Sequence, residues 1–192
     1  MRSDYIVVSS DGSNMDKVMQ ETEKVAVYKE LSKNGALHLR LLTEEMLGMM
    51  RSIAGKTDAC FWIEDEDGVF QLHLQADTYI DLEQRKKLIS TSKSGKNEAS
   101  KGLMGKIRSF FEPVEDVPVF IDPTYDPSGV FLMWSLSDYQ SKIQSEMERK
   151  SEGAAEAWDE LEKSVVSNVA DDIKVSISGH QVEMIIYKKI TA

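Results

Sequence analysis

Residues 36–77 constrain the fold more than any other part of this chain, because the apolar spacing changes period within them. In the segment ALHLRLLTEEMLGMMRSIAG, Leu39, Leu42, Met46, Met49 and Ile53 recur at helical spacing, and Gly55 supplies a stop. Directly afterwards Ala59, Phe61 and Ile63 alternate with Cys60, Trp62 and Glu64. After an acidic Asp65-Glu66-Asp67-Gly68 turn, Phe70, Leu72, Leu74 and Ala76 alternate with Gln71, His73, Gln75 and Asp77. A helix with one apolar stripe followed by a hairpin with one apolar face requires a sheet covered by helices. The polar members of the second strand predict that the other face of the sheet is wet or lightly covered.

The flanking segments extend the pattern. Tyr5 to Ser9 predicts a first strand, placed at an edge and therefore a candidate homodimer contact. Met15, Val18, Met19, Thr22, Val25 and Ala26 predict a helix over 14–31, capped by Asn14 or Ser13 and ended by Lys33-Asn34-Gly35. Asp81 to Leu88 predicts a short helix, and Leu103, Met104, Ile107, Phe110 and Phe111 another. All four prolines fall between Pro113 and Pro127, so 112–128 is expected to be a loop. Gly129 to Leu136 predicts a strand, 137–168 a long acidic helix interrupted near Gly153, and 173–190 a closing hairpin turning at Gly179. The sum is one α+β domain over 1–192, a two-layer sandwich whose mixed, mostly antiparallel sheet is covered on one face by helices.

Charge is distributed unevenly. Arg85 to Arg108 carries eight Lys or Arg against one Glu in a protein of net charge −10. Its Ser, Gly and Lys residues run into an apolar-periodic helix, an arrangement suited to holding phosphate at a helix N-terminus. A solvated basic loop is the plainer alternative. The acidic balance elsewhere argues against general nucleic-acid binding, and no apolar run is long enough for a membrane span or a signal peptide, which leads to a cytoplasmic expectation. Cys60 has no internal disulfide partner. His38, His73 and His180 lack metal-site spacing, and the acidic residues of the proline-rich stretch suit a solvated loop better than a calcium site, so no metal ligand is assigned. Ser94-Gly95-Lys96 echoes phosphate-loop chemistry without a full motif.

Taken in order, Glu44 one turn before Gly48, Asp77 closing a strand, the Lys- and Gly-rich segment and the glycines before a helix resemble the ATP-binding domains shared by gyrase, Hsp90, histidine kinases and MutL, the GHKL superfamily. Within it the small anti-sigma-factor serine kinases are the most similar. The resemblance covers Met15 to Phe111 and implies a Bergerat-type ATP-binding fold. It implies that Glu44 stands where the family has its general base and Asp77 where an aspartate accepts the adenine amino group. The family's magnesium-ligating asparagine is Gly48 here, and glycine has no side-chain oxygen. Tyr79 replaces an expected glycine and would fill the adenine slot or stack on the base. Gly102, Met104 and Gly105 stand in for the Gly-x-Gly lid end, and Ser94, Lys96, Lys101 and Lys106 are the phosphate-side candidates. The implied protein is an ATP-binding regulator that acts on a protein partner and holds ATP or another adenine nucleotide, with magnesium doubtful and phosphoryl transfer weak or absent. The alternatives are an interaction module on the same fold that binds no nucleotide, and an active serine kinase.

Overall fold

A computed structural model of the chain describes residues 1–9, 11–53, 58–77, 131–151, 153–178 and 181–190. The expected helices after Asp81 and before Phe111, and the proline-rich loop 112–128, lie outside these residues. The described elements run β1 (Ile6–Val8), α1 (Met15–Tyr28), α2 (Lys33–Ile53), β2 (Ala59–Glu66), β3 (Val69–Asp77), β4 (Phe131–Ser135), α3 (Leu136–Glu148), α4 (Ala154–Lys163), α5 (Val165–Val169), β5 (Asp172–Ser178) and β6 (Gln181–Lys189). The architecture is an α+β sandwich.

The described strands form one six-stranded sheet in the order β1-β2-β3-β6-β5-β4, and every described pairing is antiparallel. Because residues opposite one another in an antiparallel ladder share a face, the register separates the two faces cleanly. Phe61, Leu74, Met184 and Val175 fall on one face, as do Ile63, Leu72, Ile186 and Ile173. All are buried, and all five described helices contribute to the same core through residues such as Val18, Leu42, Met46, Ile143, Leu161 and Val166. Leu39, Leu42, Met46 and Met49 of the α2 stripe are fully buried, as their 3.6-residue period requires.

The opposite face is half-buried at most of its described positions and closed at its middle. Trp62 is 5% exposed and His73 7% exposed, although both belong to the polar register of their strands. Their rings stack nearly parallel at 4.6 Å, and Tyr5 packs against the indole at a tilt, with ring centroids 5.1 Å apart. Aromatic stacking therefore buries the middle of a face that residue polarity alone marks as wet or lightly covered.

Several boundaries depart from the predicted ones. α1 ends at Tyr28, and residues 33–35 open α2 instead of closing α1. The stop is a Schellman turn, with Leu31 N–H donating to Ala26 O and Glu30 N–H to Val27 O, and the left-handed position is filled by Glu30 at φ 51°. Ser32 then accepts the Gly35 N–H at 3.2 Å through its hydroxyl, capping α2. Asn14 does stand at the α1 N-cap, but its side chain makes no cap bond there. It sits at φ 67° and its amide donates to Val7 O at 3.0 Å, so it closes the outward carbonyl of the edge strand.

The hairpin turn is also shorter than expected. Asp65 and Glu66 remain in β2, and Asp67-Gly68 form a two-residue loop with φ of 53° and 81°. Buried Asp65 accepts Gly68 N–H at 3.0 Å and pairs with Lys29 at 2.5 Å, tying the end of α1 to the hairpin.

The long helix predicted over 137–168 is three helices. Ser135 caps α3 by accepting Asp138 N–H at 3.1 Å. A second Schellman turn, with Lys150 at φ 56°, ends it, and Gly153 at φ 83° admits the new direction of α4. Ser164, extended at φ −80° and ψ 122°, breaks the chain again and caps α5 by accepting Ser167 N–H at 3.4 Å.

Candidate functional site

α2 supplies the first two candidate residues. Its inner stripe is sealed in the core, so the opposite side must face outward, and there Glu44 and Gly48 lie one turn apart and both exposed. A Cβ built on Gly48 meets nothing within 4 Å, so no neighbour requires a glycine at this mid-helix position. The expected outward face is thus present, with Leu37 exposed and Leu41 half-buried beside it.

Glu44 is not a free carboxylate. Arg40, one turn earlier, donates from Nε to Glu44 Oε1 at 3.1 Å and reaches Glu23 of α1 from Nη1 at 3.4 Å. The guanidinium therefore stands between two carboxylates on adjoining helices. Arg40 was not among the sequence candidates, although its spacing of four residues from Glu44 is a legible signal for an ion pair. Such an exposed pair contributes only about 0.3–0.5 kcal/mol, so it orients Glu44 without locking it.

Asp77, the third candidate, is the last residue of β3 and is exposed. It begins a row that runs across four strands, Asp77 to Gln181 on β6, Ser178 on β5 and Phe131 on β4. Asp77, which closes β3, and Phe131, which opens β4, thus lie at the same end of the described sheet. The link from α2 enters β2 at that same end, since Ala59 pairs with Ala76. No hydrogen bond or ion pair among the described residues joins Glu44 to Asp77. Tyr79, Ser94, Lys96, Lys101, Gly102, Gly105 and Lys106 lie outside the described residues.

Magnesium does not fit the described donors. Gly48 offers no side-chain oxygen where the resemblance expects the ligand, and Glu44 is already engaged by Arg40. Among the described residues no group of three or more His, Cys, Asp or Glu is placed to hold a metal ion. Cys60 is half-buried, and burial pushes its thiol up despite the nearby Arg2, which opposes thiolate formation at neutral pH.

The sequence reading passed over the array on the second face of the sheet. His73 Nδ1 meets Glu183 Oε1 at 3.1 Å, while Nε2 is buried without a hydrogen-bond partner among the described residues. Trp62 Nε1 donates to Glu64 at 2.9 Å, and Arg2 pairs with the same carboxylate at 3.1 Å while lying over the Tyr5 and Trp62 rings. Strand alternation alone puts Trp62 beside Glu64, whereas only tertiary pairing brings His73, Glu183, Arg2 and Tyr5 to them. None of the described helices is long and apolar enough to cross a membrane. A scan against models of known protein families and a search of curated proteins both return no match for this chain.

Proposed function

We propose that this chain is a regulatory protein of the ATP-binding type whose nucleotide site is altered, so that phosphoryl transfer is weak or absent. The observation that supports this reading is that Asp77, the start of β2 at Ala59 and the start of β4 at Phe131 share one end of the described sheet, so that the described residues flanking the sequence stretch with Lys96, Lys101 and Lys106 lie there with the candidate adenine-binding carboxylate. Under this reading Asp77 accepts a hydrogen bond from the adenine amino group, and the lysines hold the phosphates in place of a metal ion. Phosphoryl transfer depends chiefly on positioned charge around the moving group, and Gly48 removes the residue that would anchor the metal. Glu44, held by Arg40, is then an exposed surface carboxylate and not a poised base.

The Arg40–Glu44 pair also favours a second reading, a protein-interaction module on the same fold without nucleotide. Thermal unfolding with ATP, ADP and AMP, each with and without EDTA, separates the two. A nucleotide at 100 times its dissociation constant stabilises by about 2.7 kcal/mol. For a chain of this length that raises Tm by roughly 5–10 °C. The nucleotide reading expects that shift to persist in EDTA and to shrink with added salt, because exposed lysine–phosphate attraction is screened over about 10 Å at 0.1 M. Changing Lys96 and Lys101 together to Ala should weaken ATP more than adenosine, and Asp77→Asn should weaken both. No shift with any nucleotide leaves the interaction module, and a shift seen only with magnesium overturns the altered-site reading.

A further inference from the structure

We draw no further inference here: the strongest candidate, the buried imidazole of His73 on the second face of the sheet, with Nδ1 paired to Glu183 and Nε2 without a hydrogen-bond partner among the described residues, carries nothing because stacking on Trp62 and the Glu183 pair account for its burial and no second observation points to a ligand.

Discussion

Two glycines on α2 should respond to alanine with opposite signs. Gly48 is inside the helix and exposed, and beyond the helix's own backbone the added Cβ meets no atom of the described residues within 4 Å. Gly48→Ala therefore keeps only the propensity gain, about 0.8–1 kcal/mol. For a chain of this size that is a rise in Tm of roughly 2–4 °C. Gly35 lies in the first turn of α2, and its Cβ would stand 2.6 Å from Ile190 Cγ2. Ile190 cannot retreat easily, since its side chain is 8% exposed and its N–H donates to Gly68 O at 2.9 Å. Its β-branched side chain would have to leave its rotamer or the helix would have to shift, at a cost of about 1–3 kcal/mol. The propensity gain is smaller at a helix terminus than in the interior, so Gly35→Ala should remain net destabilising by about 0.5–2 kcal/mol. Urea unfolding followed by far-UV circular dichroism measures both variants against the parent. If Gly48→Ala is destabilising, the outer face of α2 is not open and the site reasoning fails with it. If Gly35→Ala is neutral, the close approach of Ile190 is not a constraint.

Buried Thr22 and Thr43 face each other at 3.2 Å, and each hydroxyl also lies 2.9 Å from the carbonyl four residues earlier, Val18 O and Leu39 O. Three contacts share two hydroxyl protons, so Thr22→Val orphans no donor and should cost below about 1 kcal/mol by denaturant unfolding; a loss of 2 kcal/mol or more refutes this. Asn14 combines a left-handed backbone with its bond to Val7 O, so Asn14→Ala should cost about 1–3 kcal/mol and Asn14→Gly clearly less, because glycine tolerates φ 67°; equal losses would show that backbone strain plays no part. Burial alone would raise the Asp171 carboxyl, but the Lys189 N–H at 2.5 Å and the Lys188 ammonium at 2.9 Å outweigh it and hold it below the usual range. A depressed folded value stabilises above the unfolded one and loses that contribution as pH falls through the folded one. The stability gap between the parent and Asp171→Asn should therefore be full at pH 7 and narrow below about pH 4; a gap unchanged at pH 3 would contradict the assignment.

Periodicity alone determined the frame of this protein. A 3.6-residue stripe must turn one side of α2 inward, and a two-residue alternation must give β2 and β3 one apolar face, so Leu39, Leu42, Met46, Phe61, Ile63, Leu72 and Leu74 were legible as core before any contact was known. The same logic placed Glu44 and Gly48 outside. Helix ends were less legible, because a stop signal sought in glycine misses Glu30 and Lys150, which hold left-handed positions only because the surrounding turn bonds compel them. Gly35 looked like a terminator and is instead where α2 closes against Ile190, a contact 155 positions along the chain. Tertiary pairing likewise decided that His73 is buried against Trp62 and Glu183, and that Asp77 shares its row with Gln181, Ser178 and Phe131. Local pattern depends on each residue's own spacing and polarity, whereas strand order and register depend on which distant segments bury surface together, and spacing along one segment does not encode that.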